Sequence, residues 1–191
     1  MKKILIFFIL FFGLITDINA ETKRITSGNK NAKITIIAFE SITCSHCASF
    51  HKDVYPQLKK DYIDTGLVKI EFRHFPLDVA AFNAAKISQC KEDQSLAILE
   101  SLYSNQQAWV KGNTIEEVND NLKNFLLDEG FNIDYESCIN NKEIEDFVLN
   151  DRIEGAKKFK VNATPTIIIN NEKFEKSLNY KNLKKYLEKL I

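Results

Sequence analysis

Two cysteines separated by two residues, in Cys44-Ser45-His46-Cys47, carry the clearest chemistry in this 191-residue chain. The thiolate is the reactive form of cysteine, and a helix N-terminus stabilises negative charge. The stretch follows an apolar run, Ile34-Thr35-Ile36-Ile37-Ala38-Phe39, and precedes a helix-compatible segment, Ala48 to Tyr55. Cys44 is therefore expected at a helix start, with a pKa below the ordinary value of ~8.5 and inside a reactive range of ~3.5–7.5. His46 adds a donor and, when charged, a positive potential, both of which favour thiolate at Cys44. Stabilising the thiolate stabilises the reduced form, so the disulfide becomes a stronger oxidant. This assigns Cys44 as the exposed, attacked sulfur and Cys47 as the buried resolving partner. Two other readings stay open. One is a purely structural disulfide. The other is a metal site made of Cys44, His46 and Cys47, for which the sequence offers no fourth ligand.

The elements that must position this pair follow from periodicity. Residues 33–39 are rich in β-branched and aromatic side chains and predict a buried strand, with a short strand expected before it at Lys23-Arg24-Ile25-Thr26. Thr43, or else Ser41, is expected to cap the helix that begins at the first cysteine. Pro56 should end or kink that helix, and a second segment runs to about Asp64. Residues 67–75 alternate as a strand, with Val68, Ile70 and Phe72 on one face and Lys69, Glu71 and Arg73 on the other.

From Asp78 to about Lys160 no strand is predicted. Thr114-Ile115-Glu116-Glu117 fits a capping box, with Ile115, Val118, Leu122 and Phe125 on one helical face and Gly130 at the end. Asp134 caps a short helix carrying Cys138. A longer helix runs from Glu143 to Phe159 with Ile144, Phe147, Val148 and Ile153 on its apolar side. Strand character returns at Thr166–Ile169, Asn170-Asn171 makes a hairpin turn, and residues 172–176 return. A last helix, 180–191, sets Leu183, Tyr186, Leu187 and Leu190 on one face. Thr164-Pro165 precedes the returning strand; a proline is tolerated at a strand start, and in a tight loop it can be cis. The order is strand, helix, strand, helical block, strand, strand, helix. It predicts an α/β domain with an inserted all-helical subdomain, divided at 21–77, 78–150 and 151–191.

Charge and the N-terminus bound the setting. Twenty-six basic residues balance 26 acidic ones and are interspersed with them, so bulk charge argues for no nucleic-acid partner. Lys2 and Lys3 precede an apolar run from Ile4 to Ile15, and Ala20 supplies a small residue before a cut. Residues 1–20 thus read as a secretory signal peptide cleaved after Ala20, the apolar run being too short to span ~30 Å of hydrocarbon comfortably. The alternative is an uncleaved anchor, because the large Ile18 is a poor residue at −3. Cleavage removes two lysines and one aspartate, leaving 26 − 2 = 24 basic and 26 − 1 = 25 acidic residues. In an oxidising compartment four cysteines favour disulfides. With Cys44 and Cys47 forming one unit, Cys90 is left with Cys138. A structural disulfide across 138 − 90 = 48 residues would stabilise by ~4 kcal/mol in the chain-entropy model, and a second redox pair is the rival reading.

Four stretches together resemble the DsbA-like thiol:disulfide oxidoreductases, in particular the bacterial branch with Cys-x-His-Cys: residues 41–51 around the cysteines, 62–68, Phe72-Arg73-His74-Phe75-Pro76-Leu77-Asp78, and 163–170. With the helical block they cover nearly all of the chain after residue 20, in the expected order. The resemblance implies a thioredoxin fold with a helical insertion. It implies a cis Thr164-Pro165 peptide beside the disulfide, whose loop offers backbone groups to an extended substrate. It also implies catalysis by Cys44, Cys47 and His46, substrate binding at Thr164 and Pro165, and a structural pairing of Cys90 with Cys138.

The implied activity is oxidation of exported, periplasmic proteins as they fold, followed by re-oxidation by a membrane quinone-linked partner of DsbB type. No dissociable cofactor or metal is implied. Two positions depart from the pattern. Where the family often carries a buried carboxylate six residues before the first cysteine, this chain has Ala38; Glu40, on the same side of the strand, is the candidate to take over the proton relay, the alternative being that it is simply exposed. Thr164 stands where some members have Val and adds a hydroxyl near the sulfurs. Rival functions are a disulfide isomerase or reductase of the same fold and a periplasmic metallochaperone. The short segment before Lys33 favours a monomer. His51 is expected to be an ordinary helix residue, His74, Pro56 and Pro76 structural, and Trp109 core.

Overall fold

Alternating apolar residues build a five-stranded sheet around the strand that leads to the cysteines. A computed structural model describes residues 22–191, and the expected leader at 1–20 lies outside them. The strands are β1 (Ile25–Gly28), β2 (Ile34–Glu40), β3 (Val68–His74), β4 (Thr166–Ile169) and β5 (Glu172–Lys173). Their order is β1-β3-β2-β4-β5, with β2 and β3 parallel and the other pairs antiparallel. The β2–β3 register runs from Ile34 opposite Val68 to Glu40 opposite His74. The turn Asn170-Asn171 has positive φ at both residues, as a two-residue hairpin requires. The returning strand is shorter than the expected 172–176, because Phe174 leaves the ladder after donating its N–H to Ile167 O at 2.9 Å.

Period-two alternation gives the sheet two buried faces. Ile36, Ala38, Val68, Ile70 and Phe72 join the main core, whereas Ile37, Phe39 and Ile168 pack with Phe75, Phe159 and Val161 in a second cluster. The helix after the cysteines covers the first face. It begins as α1 (Ser45–Ser49), continues as a π-helical turn at Phe50–Val54, returns to α2 (Tyr55–Leu58) and ends in a second π turn at Lys59–Ile63. Pro56 therefore neither ends the helix nor splits it. Its missing N–H falls in the first turn of α2, and the wider turn before it absorbs the mismatch.

The helical block comprises α3 (Val79–Gln89), α4 (Ser95–Ser104), α5 (Gln106–Trp109), α6 (Ile115–Asp128) and α7 (Tyr135–Ile139), and α8 (Lys142–Lys158) leads back to the sheet. Trp109 is fully buried and donates its indole N–H to Leu102 O at 3.1 Å. Thr114 caps α6 by accepting from Glu117 N at 3.2 Å, but the Glu117 carboxylate accepts from Asn113 N, one residue before the position a capping box uses. The expected boundary at 150 falls inside α8, a single continuous helix.

The inward stripe of α8 is Ile144, Val148, Asp151 and Gly155, and Ile153 is exposed, contrary to expectation. An aspartate and a glycine occupy stripe positions there, which disguises the apolar period. At Gly155 a Cβ would meet the Phe39 ring at 2.9 Å, so only glycine lets this helix approach the second face so closely. The final helix, α9, spans Tyr180–Leu187. It buries Leu183 and Leu187 but stops before Leu190, which is exposed. Among the described residues no helix is long and apolar enough to cross a membrane. The architecture is the expected α/β sheet with an inserted all-helical subdomain.

Candidate active site

The loop between β2 and α1 brings the two cysteines to the end of the sheet with opposite exposures. Cys44 is part-exposed and Cys47 is 0% exposed, and both are free thiols. Cys44 itself occupies the N-cap position, in extended conformation, and no side chain caps the helix. This corrects the expected cap. Thr43 turns away to donate its hydroxyl to Asp78 Oδ2 at 2.7 Å, and Ser41 Oγ accepts from Leu77 N at 3.3 Å. With no hydroxyl competing for them, the first N–H groups of α1 are left for the sulfur.

The electrostatics of the two sulfurs diverge accordingly. The Cys44 pKa is lowered to about 5, chiefly because the Cys47 thiol donates to it. Partial burial opposes this, and the Thr164 hydroxyl and the backbone N–H groups of Cys47 and His46 add to it. His46 thus acts on Cys44 through its main chain, and its side chain is exposed. Burial pushes the Cys47 thiol far up, helped by the Cys44 sulfur and by the negative charge of Glu40. One sulfur is ionised and reachable at neutral pH, and the other is protonated and sealed.

The Thr164–Pro165 loop, 120 residues away in sequence, closes the site. Its peptide is cis, and Cys44 Sγ lies 3.4 Å from the Thr164 carbonyl oxygen. The Thr164 hydroxyl oxygen is buried and makes no other hydrogen bond. Beside the loop a groove of about 500 Å³ is lined by His46, Ser49, Phe50, Thr164, Pro165 and Leu178 among others. From the opposite side the helical block reaches in, where Gln106 donates its side-chain amide to Ile42 O at 2.5 Å and to Cys44 O at 3.0 Å.

Glu40, the last residue of β2, is 3% exposed. Its Oε2 is 2.9 Å from His51 Nε2, the Tyr103 hydroxyl also interacts with the carboxylate, and among the described residues Oε1 has no closer hydrogen-bond partner. The His51 ring stacks on Tyr103 at 4.0 Å and lies 5.2 Å from Phe72. His51 is therefore more than the ordinary helix residue expected, since its ring bonds Glu40 and stacks on Tyr103. It is buried, four residues after Cys47 and four before Tyr55 on the inward stripe of this helix. Cys90 and Cys138 lie away from this cluster and are bonded to each other, with Cα atoms 5.5 Å apart. Among the described residues no three His, Cys, Asp or Glu side chains are grouped so as to hold a metal ion.

A family model described as thioredoxin matches residues 20–189. The chain belongs to the thioredoxin family. Among solved structures, thioredoxin-family relatives include Wolbachia pipientis alpha-DsbA1, at 29% identity and a TM-score of 0.76, covering 87% of this chain and 90% of that one. The Disulfide bond formation protein D of Bacillus subtilis (strain 168) is 27% identical over 174 residues, covering 85% of this chain and 74% of the relative. A Rickettsia prowazekii (strain Madrid E) protein named "Putative protein-disulfide oxidoreductase RP025" is 28% identical over 171 residues, covering 86% of this chain and 60% of its own length. The chain spans between 51% and 60% of the rickettsial relatives it matches.

The fold is a thioredoxin fold with a helical insertion, and within it the cis Thr164–Pro165 loop meets the Cys44–Cys47 turn at the end of the sheet. Three neighbours escaped sequence reasoning. Gln106 and Tyr103 carry no motif and reach the site only through the packing of the insertion. His51 had a readable signal, standing four residues after Cys47 on the same helix face, but its partner Glu40 lies on a strand and no local pattern joins the two.

Proposed function

We propose that the chain is an exported thiol:disulfide oxidoreductase of the DsbA type, of the branch with Cys-x-His-Cys, that donates a Cys44–Cys47 disulfide to reduced proteins. The observation that carries this is the asymmetry of the pair: Cys44 part-exposed with a pKa of about 5, Cys47 fully buried with its thiol pushed far up. A substrate thiolate attacks Cys44 Sγ, the Cys44–Cys47 bond breaks, and Cys47 leaves as a thiolate that takes a proton. A second substrate thiolate then attacks the substrate sulfur of the mixed disulfide and expels Cys44. The substrate dithiol is oxidised and the cysteine pair is reduced. Cys44 leaves readily because its thiolate is the stable form at neutral pH.

In this reading Thr164 and Pro165 hold an extended substrate segment beside the sulfur, and the adjoining groove receives its side chains. His46 supplies a backbone N–H to Cys44, and Glu40 serves the proton of Cys47. Cys90–Cys138 is a structural disulfide of the insertion. The working protein is a periplasmic monomer after loss of residues 1–20. It needs no dissociable cofactor, and a membrane quinone-linked partner of DsbB type restores its disulfide. The three segments 21–77, 78–150 and 151–191 act as one unit, the insertion covering the site that the two outer segments build.

The test is equilibration with glutathione, followed by reaction with a reduced, unfolded model protein. An oxidising potential and stoichiometric substrate disulfide, abolished in Cys44→Ser and trapped as a mixed disulfide in Cys47→Ser, are expected. A potential near the ~−270 mV of a reductant, with no net oxidation, overturns the reading. Efficient refolding of a scrambled substrate without net oxidation assigns an isomerase instead.

A further inference from the structure

We propose that the polar groove on the insertion side of Cys44 is a second substrate subsite, which takes an acidic residue three or four positions from the substrate cysteine and pairs it with Lys52. This rests on the exchange reading above and extends it from the sulfur to the sequence around the thiol being oxidised. Lys52 meets the substrate away from the reacting atoms and acts on specificity.

A mixed disulfide decides what can lie here. Once a substrate sulfur is bonded to Cys44 Sγ, the chain on both sides of that substrate cysteine must run over whatever adjoins Cys44. Two depressions do, on either flank of the helix that Cys44 caps. One is the groove of about 500 Å³ beside Thr164 and Pro165. The other, of about 690 Å³, lies towards the helical block, with Ser45, Ser49 and Lys52 along one wall and Ser104, Gln106 and Gln107 along the other. Ser49 borders both. The second groove adjoins the reactive loop directly, because Gln106 in its wall donates to the Cys44 carbonyl at 3.0 Å.

The two grooves differ in charge. Lys52 is the one charged residue lining the insertion-side groove among the described residues. The Pro165 groove carries Asp53 and neither lysine nor arginine. Lys52 is exposed, and among the described residues its ammonium has no ion pair or hydrogen bond. The side chains of Ser45, Ser49, Ser104 and Gln107 likewise make no hydrogen bond there. Hydroxyl and amide groups along a groove bond a peptide backbone, and a cation with no partner of its own selects a carboxylate.

Distance sets the position of that carboxylate. Lys52 stands 52 − 44 = 8 residues after Cys44 on the same helix. At ~1.5 Å per residue this is ~12 Å along the axis. An extended peptide advances ~3.3 Å per residue, so its third or fourth residue from the cysteine comes level with the ammonium. Nearer residues lie beside Ser45 and Ser49. A substrate with its acid on the other side of the cysteine meets Asp53 instead of Lys52, so the two grooves read direction as well as charge.

The experiment uses the full chain carrying Cys47→Ser, which leaves Cys44 as the free thiol. Short peptides, each with one cysteine activated as a mixed disulfide with thionitrobenzoate, are supplied in excess. The Cys44 thiolate attacks the peptide sulfur, the bond to thionitrobenzoate breaks, and its electron pair leaves with that group as a coloured thiolate. The peptides carry an Asp pair at the third and fourth residues before the cysteine, the same pair after it, or Asn or Lys in those places. One Asp arrangement is expected to react about 10-fold faster than the other and than its Asn counterpart. Lys52→Gln should abolish this preference while the Asn peptides keep their rates, and Lys52→Glu should turn it towards Lys. Lys157→Glu, the same charge change on the exposed face of α8, should leave it within about 2-fold. Equal rates for the two Asp arrangements overturn the proposal, as does a preference that survives Lys52→Gln. If no peptide releases thionitrobenzoate, the exchange reading itself fails. If all release it at one rate, only this inference does.

Discussion

Glu40 and Asp151 are both carboxylates sealed inside the protein, and they are held in opposite ways. Asp151, on α8, is 0% exposed with both oxygens engaged, Oδ1 by the Arg24 guanidinium and Oδ2 by His74 N–H at 3.2 Å. Arg24 also approaches Glu154, which pairs in turn with Arg73. Glu40 meets the His51 imidazole and the Tyr103 hydroxyl, with Oε1 less closely engaged. A charge with every lone pair answered joins elements together; here it ties the residue before β1, the end of β3 and α8. A buried carboxylate with fewer partners contributes less to holding elements together, and the proton role proposed for Glu40 is a reason such a group could be kept. The two acids thus make a testable contrast between a structural charge and a proposed functional one.

The largest expected effect breaks that comparison at its structural end. Asp151→Ala leaves Arg24 without its main partner and His74 N–H without an acceptor, and is expected to lower stability by about 3–5 kcal/mol, read from the urea midpoint. Glu40→Gln should change the same midpoint by less than about 1 kcal/mol, since an amide retains the contact with His51 and relieves a buried charge. The reverse ranking would make Glu40 the strut and Asp151 the dispensable group.

A second contrast lies between the two cysteine pairs. Cys90 and Cys138 close a loop across a sequence separation of 48 within the insertion. Replacing both with alanine is expected to cost about 2–4 kcal/mol while leaving the Cys44 titration near 5. Movement of that titration would show the insertion pair coupled to the site.

The third effect sharpens the pH side. The Cys44 pKa is depressed in the folded, reduced protein to about 5, from an ordinary 9.0. A depressed acid stabilises the folded state fully above its unfolded pKa, and the contribution vanishes as pH falls through the folded one. The reduced protein should therefore gain stability over a Cys44→Ala variant between pH 5 and 9. The gain is about 1.5 kcal/mol at pH 7 once screening at this part-exposed sulfur is allowed for, and it should be absent below pH 4. A flat difference across this range would contradict the thiolate assignment.

Much of this was legible from residue order. Alternation in residues 33–39 and 67–75 marked β2, β3 and their two faces, and the placement of Cys44 and Cys47 after a strand gave the site. Parity with Ala38 put Glu40 on the inward side of the strand, while residue order left open whether it is sealed or exposed. What stayed hidden depends on tertiary packing. The contact of His51 with Glu40 joins a helix to a strand, and Asp151 and Gly155 sit in the inward stripe of α8 as if polar and breaking, because their partners lie on other elements. Thr43 looked like a helix cap but is taken by Asp78, a competition no local pattern reveals.

The smallest expected effect tests whether the insertion merely covers the cysteines or also holds them. Gln106 bonds the backbone of the Cys44 loop, donating to Ile42 O and Cys44 O from a single amide, in addition to the Asp78 carboxylate that accepts from Thr43. Gln106→Ala removes both bonds, which are only part-buried, so water can replace some of the loss and the stability change should be about 1 kcal/mol. Its informative readout is at Cys44. The sulfur owes part of its ionisation to the N–H groups of His46 and Cys47, which stay aimed only while the Ile42–Cys44 backbone is fixed. A loosened loop should raise the Cys44 pKa, measured by thiolate absorbance, and leave the groove beside Pro165 intact. An unchanged titration would mean that β2 and α1 fix the loop by themselves, and that the helical block contributes coverage rather than aim.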